Sequence, residues 1–128
     1  MEGMRSVYRQ ILREEFCALF NAQSMYDAFG ANVMKTLFPK HTRFHGRDLL
    51  VKNGAAKRYK EELQDQDAHL IRMLPQGVVF PTDTIVFGDC VALFAYDDEK
   101  TIVRIENRNL AHTFRTWFEL LWKTGDMK

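Results

Sequence analysis

Short apolar runs alternate with amphipathic stretches along this chain, and their periods predict its elements. Val7 and Ile11 lie four apart with Leu12 beside them and charged residues opposite, which predicts a short helix capped by Ser6. Phe16-Cys17-Ala18-Leu19-Phe20 is continuously apolar and five residues long, as expected of a strand buried on both faces. After the polar break at 21–24, Ser24 with Asp27 three residues on resembles a capping box. The helix it predicts carries Tyr26, Phe29, Val33 and Leu37 on one stripe, widened by Met34 and Phe38, and ends at Pro39. A strand is expected from Arg43 to Leu50, with Gly46 marking a bulge or a close approach.

Asn53-Gly54 signals a turn, followed by a helix over 55–63 with Ala56, Tyr59 and Leu63 inward. A polar loop over 64–67 leads to a strand over His69–Leu74. Two strands, Asp83–Phe87 and Cys90–Tyr96, share a Gly88-Asp89 connection of hairpin length. Thr101–Glu106 returns as another strand. Asn107 or Asn109 then caps a final helix with Leu110, Phe114, Trp117 and Leu121 on one stripe, supported by Phe118 and Trp122. The order α-β-α-β-α-β-β-β-β-α predicts one α/β domain over residues 1–128, a mixed β-sheet flanked by helices.

At 128 residues the chain is sized for a single core. A formal net charge of +1 leaves no global basic footprint for a phosphate backbone. Cys17 and Cys90 fall in apolar runs and read as small buried hydrophobes of a reducing cytoplasm. No apolar run approaches the ~20 residues of a membrane span, and the N-terminal stretch lacks a signal-peptide core.

The most basic run, KHTRFHGR from Lys40 to Arg47, offers Lys40, Arg43 and Arg47 to an anion or nucleic acid, with Phe44 available for stacking. A solvated loop after a helix end is the competing reading. His41 and His45 are four apart, but Pro39 opposes a helix there and no third ligand is close, so no metal or other cofactor is expected. Ser24 could hold an anion at a helix start, or merely cap it. The aromatic cluster of the last helix is wider than one core face needs, so Trp117 and Trp122 are candidates for an interface with a second copy.

Several of these stretches together resemble the effector region of TrmB-type transcriptional regulators. They are "RDLL" at Arg47–Leu50, "RMLP" at Arg72–Pro75, "FPTDTIVFGDCVAL" at Phe80–Leu93, "IEN" at Ile105–Asn107 and "HTFRTWFELLW" at His112–Trp122. The resemblance implies a phospholipase D-like fold. Enzymes of that superfamily use His-x-Lys-x4-Asp, in which the histidine attacks phosphorus and the lysine neutralises phosphate charge. With the aspartate set on Asp89, the histidine falls on Thr82 and the lysine on Thr84, and the downstream Gly-Ser pair on Tyr96-Asp97. A threonine hydroxyl replaces neither an imidazole nucleophile nor an ammonium.

The resemblance therefore implies a non-catalytic regulatory module. It would dimerise and sense a ligand near Thr82 and Thr84, although these are equally readable as ordinary strand residues. The alternative is a degenerate or repurposed phosphodiesterase. TrmB-type regulators carry a winged helix-turn-helix domain before this region, and the sugar-binding members a β-rich domain after it. Only a few residues precede the first predicted helix and six follow Trp122, so a DNA-binding partner, separate or fused, is expected to lie outside this chain.

Overall fold

The computed structural model describes residues 2–11, 13–34, 43–63 and 69–125. Its elements, in chain order, are α1 (Glu2–Ile11), β1 (Phe16–Phe20), α2 (Ala22–Phe29), β2 (Gly46–Leu50), α3 (Gly54–Glu62), β3 (His69–Met73), β4 (Asp83–Phe87), β5 (Cys90–Ala95), β6 (Thr101–Glu106) and α4 (Arg108–Trp122). The six strands form one sheet in the order β3-β2-β1-β4-β5-β6. β1, β2 and β3 are parallel, β4 runs antiparallel to β1, and β4, β5 and β6 form an antiparallel meander.

Strand alternation sends side chains to two helical layers. Phe16, Ala18, Phe20, Leu50, Ile71, Ile85, Phe87 and Phe94 join one core with Val7 and Ile11 of α1, Met25 and Tyr26 of α2, and Tyr59 of α3. On the other face Cys17, Leu49, Val51 and Leu74 pack on Phe118 and Trp122 of α4, and Val86 and Val91 pack on Ala111. β1 is central and buried on both faces, as its continuous apolar run predicts.

Several element ends differ from the sequence expectation. α1 begins at Glu2, so Ser6 lies inside the helix and does not cap it. α2 is capped by Asn21, whose side chain accepts the Ser24 N–H at 3.2 Å, so the cap falls three residues before the capping-box match. It stops at Phe29 because Gly30 adopts φ +95° and sends its N–H back to Tyr26 O at 2.8 Å. Val33 and Met34 still reach the core, while the expected positions Leu37, Phe38 and Pro39 lie outside the described residues. β2 opens at Gly46, where a side chain would collide with the backbone oxygen and ring of Phe16. That is the close approach the glycine signals. Asn53 caps α3 by accepting the Ala56 N–H at 2.8 Å, and Asn107, rather than Asn109, caps α4.

Candidate functional site

The strand order places a crossover beside β1. The chain builds outward to β3 and then returns to the opposite side of β1 at β4. Because β4 is antiparallel, its first residue meets the carboxyl end of β1. In open α/β sheets such a switch point is where ligands usually sit.

A polar knot joins the elements there. Asn21, the residue after β1, donates its N–H to Asp83 Oδ1 and its Nδ2 to Phe80 O, both at 2.8 Å. Its Oδ1 accepts from Ser24 N and, at 3.4 Å, from Asn53 Nδ2, so one asparagine links the caps of α2 and α3 to the start of β4. Asp83 Oδ2 accepts the Tyr96 hydroxyl at 2.6 Å, and that hydroxyl lies 3.2 Å from the hydroxyl of Tyr8 on α1. Asp83 is 0% exposed. Burial pushes its carboxyl well above the usual carboxylate range, against the opposing pull of the Asn21 N–H and the Tyr96 hydroxyl. Burial likewise raises the phenols of Tyr96 and Tyr8. These groups are engaged with one another as hydrogen-bonding partners. They tie helices to sheet and leave no free nucleophile in the knot.

Thr82 and Thr84 lie on the other face of β4. Thr82 is exposed just before the strand. Thr84 is half-buried, paired with Leu19 on β1 and Leu93 on β5, on the side covered by α4. His69 projects from the opposite face of the sheet, among Phe16 and Phe44. Its Nε2 pairs with Asp48 Oδ2 at 2.5 Å, which also accepts the Tyr59 hydroxyl at 2.7 Å. His45 and His112 are exposed on β2's entry and on α4. Among the described residues no three His, Cys, Asp or Glu side chains converge as a metal set.

Ser24 borders an open cleft of about 400 Å³ with Asp27, Pro81, Tyr96, Asp97, Asp98 and Lys100. Three carboxylates face one ammonium there, and the Ser24 N–H is already taken by Asn21, so the site does not favour an anion. The opposite sign prevails in a cleft of about 650 Å³ beside the start of α3, where Lys52, Lys57 and Lys60 face Glu61. The cavity of about 30 Å³ under Tyr8, Phe16, Phe44, Asp48 and Tyr59 has room for little more than a water-sized group.

The described part of the basic run divides between an exposed arginine and an engaged one. Lys40 and His41 lie outside the described residues, and Arg43 is exposed. Arg47 does not face a free phosphate site. It is ion-paired with Glu119, reaches Cys17 Sγ at 3.5 Å, and lies 5.0 Å from the Phe118 ring and 5.3 Å from the Trp122 ring. Glu119 holds the guanidinium charged, and the guanidinium in turn lowers the Glu119 carboxyl.

The two tryptophans separate. Trp117 is 54% exposed, with Phe114 at 5.0 Å between ring centroids. Trp122 is 8% exposed, stacked on Phe118 and covered by the Arg72 guanidinium at 4.4 Å, so it belongs to the core rather than to a surface. The exposed apolar side chains near Trp117 on α4 are Leu110 and Leu120, and Val103 is exposed on β6.

Sequence reasoning missed the Asn21–Asp83–Tyr96–Tyr8 knot, the Asp48–His69–Tyr59 cluster and the lysine cleft. A signal existed for the aspartates: Asp83 shares strand parity with Ile85 and Phe87, and Asp48 with Leu50, so both stand on inward positions.

No protein-family model matches the sequence, and no curated protein matches it. Among the solved structures similar in shape are two of known description. One is TrmBL2, an archaeal chromatin protein whose structure is described as showing a novel mode of DNA binding. It has 14% identity and a TM-score of 0.56 over 97% of this chain and 50% of that one. The other is NucT from Helicobacter pylori, with 6% identity and a TM-score of 0.63 over 98% of this chain and 90% of that one. The chain thus spans half the length of TrmBL2. At these identities the likeness is one of fold, and the chain has the mixed α/β fold of the phospholipase D-like domains.

Proposed function

We propose that this domain is a non-catalytic regulatory module of the TrmB type, which pairs with a second copy of itself and works with a DNA-binding domain or partner. The observation that carries the reading is the environment of Thr82 and Thr84. The positions to which the resemblance assigns an imidazole and an ammonium hold two hydroxyls, and the ladder neighbours of Thr84 are the leucines Leu19 and Leu93. Asp83, between the two threonines, is engaged with Tyr96 on the opposite face.

Self-association is supported by the exposed apolar surface of Trp117, Leu110 and Val103. Ligand sensing is assigned to the switch-point cleft bordered by Ser24 and Pro81. The excess of carboxylates there favours a neutral or cationic ligand. A cytoplasmic setting fits the two free, buried thiols of Cys17 and Cys90. The alternative reading, a repurposed phosphodiesterase acting through the basic run, is weakened because Arg47 is engaged by Glu119.

Hydrolysis of bis(p-nitrophenyl) phosphate and of single-stranded DNA tests the assignment. The expected result is no turnover above buffer. Turnover that disappears in Thr82→Ala or His45→Ala overturns it. Sedimentation of the wild type is expected to give a dimer mass, and Trp117→Asp a monomer of unchanged melting temperature.

A further inference from the structure

Among the described residues, β6 is the last strand of the sheet and pairs only with β5. Its ladder fixes which backbone groups are free. Asn107 donates its N–H to Asp89 O at 2.9 Å, continuing the β5–β6 register beyond the strand. In an antiparallel ladder the direction of these groups alternates. Ile105, Val103 and Thr101 therefore turn theirs toward β5, while Ile102, Arg104 and Glu106 present theirs at the open edge. No proline interrupts the strand. Such an edge is a template for another strand.

Building on the self-association proposed above, we infer that β6 pairs antiparallel with β6 of a second copy, about a twofold axis at Val103, to make one continuous twelve-stranded sheet. Three observations select this register. A twofold axis normal to the sheet keeps paired side chains on the same face, so each register is centred on one residue. Centring on Arg104 sets Arg104 against itself, and centring on Ile102 sets Lys100 against Arg104; like charges directly opposite are destabilising. Centring on Ile105 pairs Arg104 with Glu106, but it leaves Thr101 and Ile102 facing the start of α4 at Arg108 instead of a strand.

Centring on Val103 instead pairs the whole of 100–106. Lys100 then stands opposite Glu106 of the second copy, twice by symmetry. Both side chains are exposed, and neither has an ion-pair partner among the described residues. Val103, 44% exposed, meets its own counterpart on the α4 side, and Thr101 meets Ile105. Because Val103 directs its backbone groups to β5, the Val103 pair is of the non-hydrogen-bonded kind, with α-carbons about 4.5 Å apart. The exposed Leu110 of α4 lies on the same side of the sheet.

Cysteine substitution in the full chain tests the register, since both native thiols are buried. Val103→Cys is expected to form a disulfide-linked dimer on mild oxidation, whereas Leu120→Cys, on the outer side of α4, is not. Glu106→Lys, which sets lysine against Lys100, is expected to weaken association about tenfold, and Lys100→Glu added to it to restore association. A wild-type dimer in which Leu120→Cys cross-links, Val103→Cys does not and Glu106→Lys changes nothing overturns the β6 pairing while leaving self-association intact. A wild type that stays monomeric at high concentration removes both.

Discussion

Asp83 is the residue on which the switch point turns. Its carboxyl is buried, raised, and held between a backbone amide and a tyrosine hydroxyl. An aspartate in the unfolded chain titrates near 3.9. Between that value and the raised folded value the native state binds the extra proton. Its contribution to stability is therefore complete below about pH 4 and falls as pH rises toward the folded value. Asp83→Asn keeps an acceptor for the Asn21 N–H and removes the titration. Denaturant unfolding is expected to show wild-type stability dropping relative to the variant as pH rises above about 4. Parallel pH profiles of the two proteins refute it. This residue was legible only by halves. Strand parity puts Asp83 inward, yet nothing local reveals that Tyr96, thirteen residues on, or Asn21, sixty-two residues back, would satisfy it. The threonines on either side of Asp83 are legible, because the pattern they interrupt is itself a sequence motif.

At the scale of elements, strands were easier to read than helix ends. The FCALF run declares a central strand because only a doubly covered strand tolerates apolar residues at every position. The α2 cap is ambiguous in sequence because the run from Asn21 to Ser24 holds two good capping residues three apart, and local pattern does not choose between them. The choice is made by Phe80 and Asp83, which hold Asn21 in place from across the sheet. Gly46 was readable as a close approach but not as the start of its strand. It sits where β2 passes the Phe16 backbone and ring. Gly46→Ala is expected to force β1 and β2 apart and cost about 1–3 kcal/mol, measured by denaturant midpoint, with binding and association otherwise unaltered in the folded fraction. A neutral substitution there means the strands have more slack than the contact allows.

For the whole molecule, the net charge of +1 conceals a division. An acidic cleft lies on one side of the switch point and a lysine-lined one on the other, so ligands of opposite sign are directed to different places. Sequence order hides this, because Asp27 joins Asp97 and Asp98 only after β1 and β4 come together. The same limit explains Trp122. Its stripe position matched Trp117's well enough to suggest a shared role. Arg47 of β2 and Arg72 of β3, both distant in sequence, decide that one indole is covered and the other is not.

The position of β1 between two unlike groups of strands has a kinetic consequence. β4, β5, β6 and α4 follow one another through short connections, so their pairing closes small loops. β1 meets β4 only after some sixty intervening residues have been arranged. Loops of that length form late, whereas hairpins assemble within about 1–10 μs. The meander with α4 is accordingly expected to act as the nucleus, with β1 docking onto it and drawing in β2 and β3. Pulse-labelling hydrogen exchange during refolding reads this directly: amides of β4 and β5 gain protection before those of β1, and simultaneous protection of all six strands excludes the order. Until β1 arrives, both edges of that early sheet stand open, so the unfinished chain passes through its most aggregation-prone state before its central strand is in place.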